Sequence, residues 1–208
     1  MTSWTQLFFQ EILDKERLRL LPKLLFFKKQ WFYLAGWTAL ALFYGHRESV
    51  DFDFFIDKDI DTQKLFNLIL EEFSSEVVIK TYGEKNTLYI TIDNIKLSFM
   101  TYKYSFIWKA VDTEFLTLAS EIDIACMKLW AIQNRATNKD YIDLYYLLHK
   151  YPLEEIIQSF YKKFGNIVNQ NLILKSLVYF DDIEEQELIM IKKLNFDEVK
   201  SFLEDVVK

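Results

Sequence analysis

The sequence predicts an α+β fold in which a mixed sheet flanked by helices is followed by a helical C-terminal half. Short runs that alternate apolar and polar residues, separated by turn residues, continue to about residue 118. From Ser120 onward the apolar residues recur at helical spacing, and strand-like runs become rare. We therefore expect two domains, an α/β core with an N-terminal helix at 1–118 and a helical domain at 119–208.

The first half is expected to begin with helix and to continue with strands. Apolar residues from Ser3 to about Lys29 predict one long helix or two helices joined near Pro22. A strand at Phe32–Ala35, a helix from Thr38 to Tyr44 and a strand at Val50–Ile56 follow. The next predicted elements are one helix and three strands, at Thr62–Phe73, Glu76–Thr81, Thr87–Asp93 and Ile95–Tyr102. The last two strands are close enough in sequence to form a hairpin, and YGEKN reads as a turn before them.

The second half is expected to be helical. Residues 106–117 are ambiguous and read as a loop with a short strand. The predicted helices are Ser120–Asn134, a helix capped by Asn138, and three more at 152–164, 167–177 and 197–207.

Composition limits the class of protein. Of the 208 residues, 51% are hydrophobic and 17% aromatic, which is enough for a sizeable core. A net charge of −6 and a pI near 5.1 argue against a protein that coats nucleic acid, because such proteins bind by neutralising phosphates. The single cysteine, Cys126, fits a reducing compartment. With no apolar run of bilayer length and no signal-peptide pattern, we expect a cytoplasmic protein with no membrane partner.

Two aspartates on one predicted strand are candidate metal ligands. Successive side chains of a strand point to opposite faces, so Asp51 and Asp53 share one face, about 7 Å apart, while Phe52 and Phe54 take the other. Such a pair can hold a divalent metal ion. Aspartate on the solvated face of a half-buried strand is the alternative, and these residues alone leave it open.

A glycine turn precedes this strand. Gly36 and Thr38 lie between an apolar strand and a helical run, where backbone N–H groups at a helix start can receive phosphate oxygens. A phosphate-binding turn followed by a carboxylate pair is suited to metal-assisted transfer of a nucleotide.

A third group of charged residues lies in the helical half. Lys128 is on one predicted helix, and Asp140 and Asp143 are three residues apart on one face of the next. Exposed ion pairs of Lys128, Arg135 and Lys139 with the two aspartates are one explanation. The other is a lysine amine that neutralises charge on a triphosphate leaving group. Spacing does not rank the two.

The ordered set of motifs resembles a known family. LAGWTALALFYGHRESVDFDFF, followed by EIDIACMKLWAIQNRATNKDYIDLYYLL, is similar to the nucleotidyltransferases of the AbiEii/AbiGii toxin family, which are related to the DNA polymerase beta fold. That family has a Gly-[Gly/Ser]-[Thr/Ser] turn, an Asp-x-Asp strand, a lysine in an MKL helix and an Asp-x-x-Asp helix start, in this order. The resemblance covers the chain from about Trp31 onward and implies a polymerase-beta-like mixed sheet.

The resemblance also implies roles for individual residues. Asp51 and Asp53 would bind Mg²⁺, and Asp140 would be a catalytic acidic residue and candidate base that Asp143 supports. Nucleotide phosphates would be contacted by Gly36, Thr38 and Lys128, and Asp143 is a further candidate nucleotide-binding residue. Arg47 is a further candidate for phosphate contact, with a surface salt bridge to Glu48 or a later carboxylate as the alternative.

Two positions depart from the family pattern. Trp37 stands where the family usually has a small residue, so its indole must point away from the phosphates or impose a different approach. Many polymerase-beta-like transferases also carry a third carboxylate on a later strand, where this chain has Ser98. Metal binding would then rest on two aspartates.

The family resemblance implies a magnesium-dependent enzyme that moves a nucleoside monophosphate from an NTP to a tRNA or protein acceptor. It further implies the toxin of a type IV toxin–antitoxin or phage abortive-infection system, with a cognate antitoxin. The rival functions are a kinase-like phosphotransferase and a catalytically degenerate module that binds a nucleotide or a partner.

Overall fold

A mixed sheet forms the first half of the molecule. The computed structural model describes residues 9–49 and 51–208. Within these residues the sheet has seven strands in the order β3-β4-β5-β2-β1-β7-β6. The strands are β1 Tyr33–Leu34, β2 Asp51–Ile56, β3 Val78–Glu84, β4 Thr87–Ile92, β5 Ile95–Thr101, β6 Val111–Asp112 and β7 Thr117–Leu118. Strand β2 pairs in parallel with β5 and antiparallel with β1, so the predicted mixed sheet is confirmed.

Strand β2 lies at the centre of this sheet because one of its faces is strongly apolar. Phe52 and Phe54 are buried, and the Phe54 ring lies 5.0 Å from Phe27 and 5.4 Å from Phe99, measured between centroids. The register places Asp53 directly beside Ser98 of β5. The opposite face of β2 therefore presents Asp51 and Asp53 next to Ser98.

Helices surround the sheet and form the second half. They are α1 Lys15–Leu20, α2 Leu25–Lys29, α3 Gly36–Tyr44, α4 Thr62–Glu72, α5 Glu121–Asn134, α6 Asn138–Leu148, α7 Leu153–Phe164, α8 Gln170–Leu177 and α9 Phe196–Val207. A 3₁₀ turn at Leu21–Leu24 contains Pro22 and separates α1 from α2. Proline lacks the N–H that a continuous helix needs, which explains the break near Pro22. The first of these helices begins only at Lys15, after a 3₁₀ turn at Gln10–Ile12, so the prediction of helix over residues 9–14 was wrong. The predicted helical residues 3–8 lie outside the described part of the chain.

The prediction for β3 was wrong in its bounds. The strand runs through Tyr82, Gly83 and Glu84, which the sequence analysis gave to a turn. The turn falls at residues 85–86, where Asn86 takes the left-handed conformation with φ of 67°. The predicted hairpin of β4 and β5 is confirmed, and both of its turn residues, Asp93 and Asn94, have positive φ as a tight hairpin turn requires.

Three predicted helix starts are also shifted, and that of α8 moves from residue 167 to Gln170. Helix α3 begins at Gly36 rather than at Thr38. Helix α6 begins at Asn138, with Thr137 as its N-cap, so Asn138 is not the cap. The Asn138 side chain instead donates to the Gln186 carbonyl at 2.9 Å and accepts from the Gln186 N–H at 3.1 Å.

The sheet and the helical half meet through α3. The last strand ends at Leu118 and α5 begins at Glu121, after Ser120, which caps it through an accepted hydrogen bond from the Asp123 N–H. Helix α3 packs against both α5 and α6. Two separate domains, divided between residues 118 and 119, stay a prediction. Within the described residues, no helix has the length and apolar character that crossing a bilayer requires.

Candidate active site

The glycine turn and the acidic strand are in contact. Gly36 has φ of 69°, a conformation that favours glycine, and a Cβ built on it would lie 3.4 Å from the Asp53 Oδ2 atom. Asp51 and Asp53 are both half-buried and share a face of β2. The start of α3 therefore lies against the carboxylate pair.

Asp53 lies in an electrostatic environment that disfavours its negative charge. Its Oδ1 atom accepts a 2.5 Å hydrogen bond from the Ser98 hydroxyl. Burial raises the pKa of Asp53, and the negative charge of Asp51 raises it further, against the lowering effect of the Ser98 hydrogen bond. A bound cation would relieve this repulsion.

The carboxylate pair fits a magnesium ion held partly by its substrate. Within the part of the chain that the structure describes, no group of three or more His, Cys, Asp or Glu side chains could hold a metal ion. Ser98 lies beside Asp53 in the register, where a third carboxylate would have stood. Because Mg²⁺ is commonly held by one or two carboxylates together with water and substrate phosphates, Asp51 and Asp53 meet this requirement.

Thr38 has a structural contact that bears on its predicted role. Its side chain is buried, and its hydroxyl donates to the backbone carbonyl of Asp51. It also shares a 2.6 Å hydrogen bond with the Ser49 hydroxyl, which therefore donates to it. These bonds join α3 to β2, so a contact of Thr38 with phosphate would have to use its backbone N–H.

Lys128 forms two buried ion pairs. Its Nζ atom lies 3.0 Å from Asp140 Oδ1 and 2.7 Å from Asp143 Oδ2. Asp140 also accepts hydrogen bonds from the Thr137 hydroxyl at 2.9 Å and from the Trp37 indole N–H at 3.2 Å. The two aspartates three residues apart thus do face one lysine, but inside the protein rather than on its surface.

Asp143 connects this network to the loop before β2. Its carboxylate accepts from the Arg47 guanidinium at 3.3 and 3.4 Å and from His46 Nε2 at 2.9 Å. Burial raises the pKa of Asp143, but the charges of Arg47 and Lys128 outweigh burial and hold the pKa well below its ordinary range. Arg47 is itself buried, and its ion-pair partner is Asp143, a later carboxylate in the interior. With Glu48 it bonds through the backbone carbonyl rather than the side chain.

The sequence did not predict that His46 is buried. Its side chain is fully buried, and burial lowers the pKa of its imidazole despite the contact with Asp143. A neutral ring that donates from Nε2 leaves Nδ1 unprotonated, and Nδ1 has no hydrogen-bond partner among the described residues. Ser49 was also missed, although it lies two residues before Asp51 in the sequence.

Of the three cations predicted to pair with these aspartates, only Lys128 does so. Lys139 and Arg135 have no carboxylate within 4 Å in the part of the chain described. The Lys139 ammonium instead lies 3.9 Å from the centroid of the Trp37 ring. Arg135 is exposed, and its positive charge acts on Asp53.

A segment near the C-terminus supports this cluster from outside. In the segment 184–192, the Glu184 N–H donates to the Ala136 carbonyl and the Ile191 N–H to the His46 carbonyl, each at 3.0 Å. It therefore ties the start of α6 to the loop that carries Arg47. This bridging role could not be predicted from the sequence, because backbone hydrogen bonds do not depend on a recognisable pattern of side chains.

The arrangement brings a helix start, two half-buried carboxylates and a group of cations to one place. Gly36 contacts Asp53, Trp37 contacts Asp140, and the charge of Lys128 acts on Asp53. Cations beside a carboxylate pair can bind the phosphates of a metal–nucleotide complex.

Comparisons with known proteins identify the family and the fold. A family model described as "Nucleotidyl transferase AbiEii toxin, Type IV TA system" matches residues 19–207. An uncharacterised protein of Aquifex aeolicus is 39% identical over 183 residues, which are 85% of this chain and 86% of that protein. MenT4, a nucleotidyltransferase toxin of Mycobacterium tuberculosis, superposes with a TM-score of 0.60 at 14% identity, covering 89% of this chain and 80% of its own. JHP933 from Helicobacter pylori gives a TM-score of 0.57 at 16% identity, covering 96% and 91%. At these identities the two structures show the fold.

Proposed function

Because the chain belongs to the AbiEii family of nucleotidyl transferase toxins, we propose that it is a magnesium-dependent nucleotidyltransferase. The reaction would move a nucleoside monophosphate from an NTP to an acceptor hydroxyl, with pyrophosphate as the leaving group. A bond forms between the acceptor oxygen and the α-phosphorus, and the bond from that phosphorus to the bridging oxygen of pyrophosphate breaks.

The observation that carries this proposal is the contact between the glycine turn and the carboxylate pair. Helix α3 begins at Gly36, and a Cβ built on Gly36 would lie 3.4 Å from Asp53 Oδ2. The first N–H groups of the helix provide partial positive charge at this place. Triphosphate oxygens could thus meet backbone donors and a cation held by Asp51 and Asp53 in one place.

The residues of the chain divide the remaining work. Asp51 and Asp53 would hold Mg²⁺, which when bound supplies Lewis acidity at the phosphate oxygens. Thr38 and Ser49 keep β2 and α3 in register through their hydroxyls. Lys128 sets the position of Asp140 through its ion pair, and Asp140 is the candidate base for the acceptor.

We propose further that the protein acts as the toxin of a type IV toxin–antitoxin system in the cytoplasm. The family description names both the transferase and the toxin system, and MenT4 is likewise described as a nucleotidyltransferase toxin. The acceptor would be a tRNA or a protein, and a cognate antitoxin would accompany the chain.

Labelled NTPs test the reaction. With an α-phosphate label and Mg²⁺, the wild type should label an acceptor or itself, whereas a γ-phosphate label should appear in pyrophosphate. Asp53→Asn should reduce the rate by at least about a hundredfold, since a metal ion contributes several kcal/mol and about 1.4 kcal/mol is tenfold. Asp57→Asn is the matched control, because Asp57 is an exposed aspartate just after the same strand.

Other outcomes separate the rival functions. Release of NDP with transfer of the γ-phosphate would identify a kinase-like phosphotransferase. Equal labelling by the wild type and Asp53→Asn would contradict the role of the carboxylate pair. No binding of Mg–NTP at millimolar concentration would support a degenerate module, for which Ser98 in place of a third carboxylate is the specific observation.

A further inference from the structure

We propose that Lys139 is a phosphate-binding residue of this site and that Trp37 is the positioning residue that holds it beside the glycine turn. This inference rests on the proposed function, since the phosphates would belong to the NTP. The sequence predicts that Lys128 and Arg47 contact the phosphates, whereas this proposal assigns a phosphate contact to Lys139.

The charges of the buried network balance one another. Lys128 and Arg47 carry two positive charges, and Asp140 and Asp143 carry two negative ones, at contact distances of 2.7 to 3.4 Å. The four side chains are buried and compensate one another. Moving Lys128 or Arg47 onto a ligand would leave a carboxylate buried without its partner, which is costly.

Lys139 has no ion-pair partner of this kind among the described residues. It is half-buried, and no carboxylate of the described residues lies within 4 Å of its ammonium. It also lies in the first turn of α6, where the helix dipole disfavours a cation. Burial lowers the pKa of Lys139, as does the charge of Arg47, and the charges of Asp51 and Asp143 offset this only in part. An anion in contact with the ammonium would therefore stabilise it.

The Trp37 ring is held against the Lys139 ammonium. Its indole N–H donates to Asp140, which fixes the ring. The ring centroid then lies 3.9 Å from the Lys139 ammonium, 5.1 Å from that of Lys128 and 5.8 Å from the Arg47 guanidinium carbon. An ammonium ion this close to an indole face is attracted by it.

Trp37 thus connects the lysine to the catalytic turn. It directly follows Gly36, whose Cβ position lies 3.4 Å from Asp53. A lysine held on the Trp37 ring is therefore next to the place where the proposed Mg–NTP would bind. The large residue at this position lies among three cations and donates to Asp140, and so the departure from the family pattern has a use.

Binding measurements on the full-length protein test the proposal. Inorganic triphosphate and an NTP, each with Mg²⁺, are titrated calorimetrically against wild type, Lys139→Gln and Lys139→Arg. Lys139→Gln should weaken both ligands by about tenfold to a hundredfold, the range for a hydrogen bond to a charged group. Lys139→Arg should restore most of the affinity. Lys80→Gln is the matched control, since Lys80 also lies over an aromatic ring, 5.7 Å from Phe66, on the edge strand β3.

Tryptophan fluorescence tests the positioning role directly. Inorganic triphosphate with Mg²⁺ should change the emission of the wild type as the ammonium leaves the indole face, and Trp37→Phe should abolish that change. Trp31→Phe should keep it, because Trp31 is 79% exposed on the surface. Trp37→Phe should also weaken triphosphate binding by less than Lys139→Gln does, since a phenyl face remains.

The outcomes distinguish this proposal from the proposed function. Failure of the wild type to bind Mg–NTP or inorganic triphosphate would overturn both. Tight binding by the wild type with equal affinity of Lys139→Gln would overturn the role of Lys139 alone. An unchanged triphosphate response in Trp37→Phe would overturn the positioning role of Trp37.

Discussion

The helical half contains two buried charge clusters that differ in how completely they are satisfied. In one, Lys163 lies 2.7 Å from Asp123, and both side chains are almost fully buried. In the other, Lys128 joins Asp140 and Asp143, with Arg47 on the far side. Both clusters pair opposite charges, as buried charges must. Beside the second, the described residues include half-buried charged side chains that have no ion-pair partner.

The Asp123 cluster is closed. The carboxylate accepts from the N–H groups of Ile107 and Trp108 at 3.0 and 3.1 Å and from the Ser120 hydroxyl at 2.6 Å. Lys163 also donates to the Ser105 carbonyl at 2.9 Å. The Ser120 bond is local to the start of α5, whereas the bonds to residues 105–108 attach the loop after β5 to the helices.

The second cluster is open towards the carboxylate pair. Asp51 and Asp53 are half-buried without an ion-pair partner in the described residues, and Lys139, on which the charge of Asp51 acts, lacks one as well. Groups of opposite charge that have no ion-pair partner within contact distance can each bind part of a metal–phosphate complex. The comparison indicates that a structural cluster satisfies its own charges, while a binding site leaves some for the ligand.

The largest expected effect on stability comes from removing the shared carboxylate. Asp143→Ala leaves Lys128 and Arg47 buried with one aspartate between them, so the free energy of unfolding should fall by about 3–5 kcal/mol. Urea unfolding followed by circular dichroism measures this. Asp59→Ala, which removes an exposed ion pair with Lys103, should leave stability nearly unchanged. A loss below about 1 kcal/mol for Asp143→Ala would mean that the cluster is hydrated rather than dry.

The closed cluster should respond in stability but not in catalysis. Lys163→Met leaves Asp123 with its three neutral donors, so the free energy of unfolding should fall by about 2–3 kcal/mol. Triphosphate affinity and labelling rate per folded molecule should match the wild type. If Lys163→Met instead lowered the labelling rate without unfolding the protein, the division into a structural and a functional cluster would be wrong.

The smallest expected effect is a pH dependence at His46. Burial lowers the pKa of His46, so below the ordinary value of about 6.5 the unfolded chain binds a proton that the folded protein does not. Stability should therefore fall as pH decreases below about 6.5, by at most about 1.4 kcal/mol per pH unit. Unfolding measured from pH 5 to 8 should show this slope in wild type and in His149→Gln, whose histidine is exposed, but not in His46→Gln. The same slope in all three proteins would assign the effect to other groups.

Much of the fold could be predicted because it depends on local patterns. Alternation in DFDFF predicted a strand with phenylalanines on one face and aspartates on the other, and Phe54 indeed packs on Phe27 and Phe99. Helix α5 was predicted within one residue of its observed bounds. The bounds of β3 could not be predicted, because pairing with β4 extends an edge strand through residues of turn type.

The candidate site was predictable as a set of residues but not as a network. Spacing put Asp140 and Asp143 on one helix face, and both contact Lys128. Spacing could not say that Arg47 is buried against Asp143, because these residues are 96 positions apart in the chain.

By itself the sequence determined the order of the longer strands and helices, the carboxylate pair on β2 and the membership of a transferase family, but not the pairing of the short strands β6 and β7. These follow from side-chain alternation, helical spacing and motif order, which are local properties. Only the tertiary structure decided which charges are paired. Ion pairing depends on distances between elements far apart in the chain, and burial then makes each pairing costly to exchange. Lys128 and Arg47 were placed inside in this way, and Lys139 was left against Trp37 without a carboxylate.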